Sequence, residues 1–158
     1  MPLISDTSMD FTVDHRQSER AMVIRTGILR GFEESDWVFV PEVTLANGRR
    51  VDLIALNSKG IIRIIEIKSS IADFKSDDKW HEYRDFCDEF YFASHPEVPG
   101  EIFPETEGFI LADGHGCEIL REGQVHKLAG PTRKALTLHI ARVASQRLKR
   151  FTLHQGVI

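Results

Sequence analysis

The densest hydrophobic stretches lie mid-chain, at 50–56 (Arg-Val-Asp-Leu-Ile-Ala-Leu) and 61–68 (Ile-Ile-Arg-Ile-Ile-Glu-Ile-Lys), joined by Asn57-Ser58-Lys59-Gly60. Two β-branched runs around a short turn-forming connection predict a β-hairpin. Side chains alternate faces along a strand, so Glu66 and Lys68 share a face with Ile62 and Ile64, while Ile61, Arg63, Ile65 and Ile67 take the other. With Ser58-Lys59-Gly60 as a three-residue loop and Gly60 left-handed, Asn57 pairs with Ile61. The same register sets Asp52 opposite Glu66, with β carbons about 5 Å apart.

Further elements flank this hairpin. Ser18 is placed to cap a helix over 18–30 with Ala21, Ile24 and Ile28 as its core stripe, and Gly31 follows its end. A strand is expected over 37–45. Pro41 cannot donate to a ladder, so that strand belongs at an edge or carries a bulge. Beyond Lys68 the spacing predicts a helix over 76–88, with Trp80, Tyr83, Phe86 and Cys87 toward the sheet. A strand over 89–94 should run parallel to the one before that helix. Strands at 108–112, 117–120 and 124–128 read as a small β-meander, and 132–150 as a helix with Leu136, Ile140, Val143, Ala144 and Leu148 inward. Residues 1–14 show no sustained period and read as an arm, leaving 15–158 as a single α/β domain.

At 158 residues the chain can bury one real core. No apolar run approaches a membrane span, and 1–14 lack the basic start and apolar core of a signal peptide, so a cytoplasmic protein with no membrane partner is expected. Cys87 and Cys117 fall far apart in different elements, which favours two reduced thiols. The net charge of −4 argues against non-specific coating of nucleic acid, but the charge is unevenly spread. Acidic residues dominate 73–107, whereas from Pro131 onward there are none and basic residues accumulate. Arg133, Lys134 and Arg142 are therefore candidates for phosphate contacts, against the alternative of a solvated helix face. His115 and Cys117 have no partners at zinc spacing and read as turn residues.

The charges inside the hairpin carry the chemistry. Two carboxylates held close in an apolar setting repel, and a shared proton or a bound cation relieves them. A hard cation, Mg²⁺ or Mn²⁺, takes oxygen ligands, so Asp52, Glu66, waters and a substrate phosphate would suit it. Lys68 could then reach the phosphate or the attacking water. That arrangement reads as metal-assisted phosphodiester hydrolysis. The competing reading of Glu66 and Lys68 is a cross-strand salt pair on an exposed edge.

Asp52, followed after a turn by Glu66-Ile67-Lys68, resembles the D…(D/E)xK signature of the PD-(D/E)xK nuclease superfamily. The runs 40–45, 50–55, 66–70, 73–74 and 79–88 resemble more closely one member of it, the MmcB-like family associated with DNA repair, over about residues 18–150. Val51 stands where the superfamily usually has Pro. The resemblance implies a restriction-endonuclease-like αβββαβ core, followed here by the meander and terminal helix. It also implies a Mg²⁺-dependent DNA nuclease acting in repair, with Asp52, Glu66 and the Ile67 carbonyl as metal ligands and Lys68 orienting water and stabilising charge on the phosphate. By the same resemblance Glu42 is a supporting carboxylate or a sheet-edge residue, and Glu19 a first-helix ligand or a helix-dipole carboxylate. Lys79, replacing a more usual Gln, and Tyr83 look like the polar-xxx-Tyr pair that supports such sites, against a solvated Lys and a core Tyr. DNA is the implied partner, other repair proteins and a homodimer are left open, and a DNA-structure-binding module without efficient hydrolysis is the alternative function.

Overall fold

The structure, a computed structural model, describes residues 18–155; the expected arm at 1–14 lies outside them. Six strands, β1 (Val38–Thr44), β2 (Arg50–Leu56), β3 (Ile62–Ile67), β4 (Glu89–Ser94), β5 (Gly108–Ala112) and β6 (Cys117–Arg121), hydrogen-bond in chain order into one sheet. β2 is antiparallel to both β1 and β3, β4 and β5 each run parallel to the strand before, and β6 turns back antiparallel. Each parallel step needs a crossover, and the segments after β3 and β4 provide them.

The central hairpin has the expected register. Leu53 pairs with Ile65 and Leu56 with Ile62, and the Asn57 N–H closes the turn onto Ile61 O with Gly60 at φ +79°. β3 lies between β2 and β4 and every one of its residues is buried. That burial removes the exposed-edge reading of Glu66.

The sheet has an apolar layer on each face. On one side Ile62, Ile64, Phe90 and Phe92 pack against Trp80, Tyr83 and Phe103 of the crossovers and against Leu136 and Ile140 of the terminal helix. On the other, Leu53, Ile65, Ile67, Tyr91 and Ile110 are covered by Ile24 and Ile28 of α1 (Glu19–Gly31). Ser18 caps α1 by accepting the Ala21 N–H. Gly27 lets α1 meet the turn after β5 backbone to backbone, since a Cβ there would stand 1.7 Å from the Asp113 carbonyl oxygen. Among the described residues no helix is long and apolar enough to cross a membrane.

Three expectations change. The helix over 76–88 is instead a short α2 (Ile71–Ser76) followed, after a break at Asp77, by a 3₁₀ turn over Trp80–Phe86. With three residues per turn, Trp80, Tyr83 and Phe86 align on the sheet side, whereas Lys79 is exposed and does not share a face with Tyr83. The meander does not form: β5 is parallel to β4, and 124–128 is no strand, because His126 and Leu128 spend their N–H groups on the carbonyl and carboxylate of Asp88. The last helix, α3 (Gly130–Gln155), is longer than expected and points Leu148 outward at 65% exposure. It buries Leu136 and Ile140 alone, and no acidic residue offsets its basic ones.

Candidate metal centre

The site forms where β1 and β2 depart from regular pairing. Their ladder runs from Val38↔Leu56 to Pro41↔Leu53, resumes at Val43↔Val51, and omits Glu42 and Asp52. Glu42 sits at φ +53°, the one non-glycine positive φ among the described residues. At that point the in–out alternation slips by one residue in both strands, so that Val40 and Ile54 on one side of the irregularity and Val43 and Val51 on the other all face the same core layer. Such irregularities re-aim side chains and interrupt the ladder. Asp52 therefore gives its N–H to Glu66 Oε1 at 3.1 Å, and its own Oδ2 accepts the Ile67 N–H at 2.7 Å. The two carboxylates are interlocked through the main chain of each other's strands.

Their electrostatics follow from this closeness. Burial pushes the Asp52 carboxyl up to about 6; the Ile67 N–H and Lys68 oppose the shift. Glu66, 5% exposed, is raised well above its ordinary value by burial and then by the charge of Asp52. The pair carries more negative charge than its surroundings stabilise.

Lys68 is 6% exposed. Its Nζ donates to Asp77 Oδ2 at 2.6 Å, while Asp77 Oδ1 accepts the Lys79 N–H at 2.8 Å. Burial works against the ammonium, but the Asp77 contact, Glu66 and Asp73 outweigh it and hold Lys68 above its ordinary pKa. Asp73 accepts the Ser69 N–H at 3.0 Å. Asp52, Glu66, Ile67, Lys68, Ser69 and Asp73, with Ser18 and Ala21 of α1, line a cavity of about 230 Å³.

The remaining sequence candidates fall elsewhere. Glu42 lies beside Arg50, Oε1 to guanidinium 4.0 Å, and does not line the cavity. Glu19 is exposed in the first turn of α1, also off the cavity. Tyr83 is buried next to the pair: its hydroxyl donates to Arg50 O, and burial, then Glu66 and Asp52, raise its pKa. Arg133, a candidate for phosphate contact, has partners within the fold. Its guanidinium grips the buried Asp88 at 2.5 and 2.6 Å and the Gly60 carbonyl at 2.6 Å, tying α3 to the central hairpin. Lys134 and Arg142 are exposed. Sequence reasoning missed Asp77 because a continuous helix over 76–88 would have carried it into solvent.

The donor set fits a hard divalent cation. Two carboxylates in raised-pKa surroundings gain from a counter-charge, and Ile67 lines the same cavity. Among the described residues no group of three or more His, Cys, Asp or Glu is arranged to hold a metal. Such an ion would complete its shell with waters or substrate oxygens, as Mg²⁺ commonly does.

A family model described as DNA repair protein MmcB-like matches residues 8–155. No curated protein matches the chain. Among solved structures, a protein of unknown function from Silicibacter pomeroyi is 36% identical, with a TM-score of 0.83, over 89% of this chain and 96% of that one.

Proposed function

The chain belongs to the MmcB-like family of DNA repair proteins, and from that premise we propose that it is a metal-dependent deoxyribonuclease that hydrolyses phosphodiester bonds during repair. The observation that carries this reading is the interlocked Asp52–Glu66 pair, which stands beside a nearly buried lysine on the wall of one cavity. Asp52, Glu66 and the Ile67 carbonyl would hold Mg²⁺ or Mn²⁺. That ion supplies Lewis acidity and lowers the pKa of a water bound to it. Lys68, kept protonated by Asp77 and its neighbours, donates to phosphate oxygens and stabilises the charge that builds there. Ser69 and the first turn of α1 border the space a phosphate would enter.

The test is cleavage of single-stranded, duplex, flapped and cross-linked DNA in Mg²⁺ or Mn²⁺, with Glu66→Ala, Lys68→Ala and EDTA as controls. Cleavage that disappears in all three controls is expected. A second reading, a DNA-structure-binding module with little hydrolysis, is favoured by one observation: the Lys68 ammonium hydrogen-bonds to Asp77 rather than to either carboxylate of the pair. Salt-sensitive DNA binding without cleavage on any substrate would select it.

A further inference from the structure

Glu42 holds a backbone conformation that a residue with a Cβ adopts at a cost, and something must keep it there. The backbone ladder does not supply a pair there, since it skips Glu42 and Asp52. A side chain from the far half of α3 grips the backbone at this point. Arg147 donates through Nη1 to Pro41 O and through Nη2 to Glu42 O, the latter at 2.7 Å, so both carbonyls that turn at the irregularity enter one guanidinium fork. Burial depresses the Arg147 pKa, and Arg150 and Arg25 add to that while Glu42 opposes it; the guanidinium sits there despite crowding by like charges. In this half of the helix Leu148 and Leu153 are 65% and 72% exposed.

We infer that Arg147 is a positioning residue for the metal centre: by clamping the carbonyls of Pro41 and Glu42 it holds the strand irregularity that sets Asp52 against Glu66. The chain of contacts is continuous. Arg147 holds Glu42; Glu42 stands at the ladder position opposite Asp52; and Asp52 exchanges hydrogen bonds with Glu66 and Ile67. Lysine could not replace Arg147, because a single ammonium lacks the planar fork that reaches two carbonyls. The structural claim stands by itself, and its catalytic consequence rests on the nuclease reading above.

The test compares wild type, Arg147→Met, which keeps an aliphatic stem, and Arg147→Met combined with Glu42→Gly, in which glycine adopts positive φ without a clamp. Amide hydrogen exchange read by NMR is the primary measurement. Arg147→Met should lose protection about tenfold at the Asp52 and Ile67 amides, with Ile54 and Leu56 unchanged, and the double variant should recover most of it. Where wild type cleaves DNA, kcat should fall about ten- to hundredfold in Arg147→Met with KM nearly constant, and return in the double variant. Unchanged protection, or a uniform loss along β2, would overturn the inference. Local loss and recovery in a protein that cuts no DNA would uphold Arg147 as the clamp and defeat the nuclease reading instead.

Discussion

Asp52→Asn should make this protein more stable at neutral pH. The isosteric amide keeps an oxygen to accept the Ile67 N–H and removes one of two repelling charges. The Asp52 carboxyl stands at about 6 in the fold against an ordinary 3.8. Roughly two units, at about 1.36 kcal/mol each, cost about 3 kcal/mol, which solvent entering the cavity reduces to about 1–3 kcal/mol. The sign follows from linkage: the folded state binds this proton more tightly than the unfolded chain. The penalty is therefore absent below about pH 4, grows between about 4 and 6, and is complete above that. Urea or thermal unfolding from pH 4 to 8, in EDTA, should show the variant above wild type by that amount at pH 8. At about 2–4 °C per kcal/mol the gain is readable as Tm, and the two proteins should converge near pH 4. Adding Mg²⁺ should narrow the gap by stabilising wild type more than the variant. A variant less stable than wild type at pH 8, or a gain that persists undiminished at pH 4, would refute the account of Asp52 as a carboxylate destabilised by burial.

Two further outcomes follow from single contacts. Asp77→Asn keeps an acceptor for Lys68 but removes the charge beside it, so the Lys68 pKa should fall; an NMR titration of its Cε resonance checks this, and an unmoved value would mean that Asp77 does not hold the ammonium. Arg133→Ala leaves the buried Asp88 without its cation, and should cost about 2–4 kcal/mol in chemical denaturation, less than a fully buried pair because Arg133 is partly exposed. If that variant instead kept full stability while flattening the salt dependence of DNA binding, Arg133 would be a phosphate contact after all.

What was legible in the chain and what was not divide along the range of the forces involved. The hairpin register, the Ser18 cap, the α1 core stripe and the parallel entry of β4 depend on local spacing and on the two-residue period of a strand, which the order of side chains carries directly. That register brings Asp52 near Glu66, while the irregularity beside Glu42, which local spacing did not foretell, governs how the two meet. The 3₁₀ turn at Trp80–Phe86 escaped because Trp80, Tyr83 and Cys87 satisfy a helical period as well as Trp80, Tyr83 and Phe86 satisfy a period of three. The meander failed because Asp88, forty residues from Leu128, claims the N–H groups that a strand would have used. Arg133 looked like any cation on a basic helix until the fold brought Asp88 within 2.5 Å.

By itself, the sequence determined the register of the central hairpin, and with it the approach of Asp52 to Glu66. Only the tertiary structure decided what each charge answers to. Lys68 meets Asp77, Arg133 meets Asp88, and Arg147 reaches back more than a hundred residues to the bend at Glu42. The physical reason is that burial makes an unpaired charge costly, so each one is settled by whichever partner the completed packing brings within reach, and sequence spacing does not encode that partner.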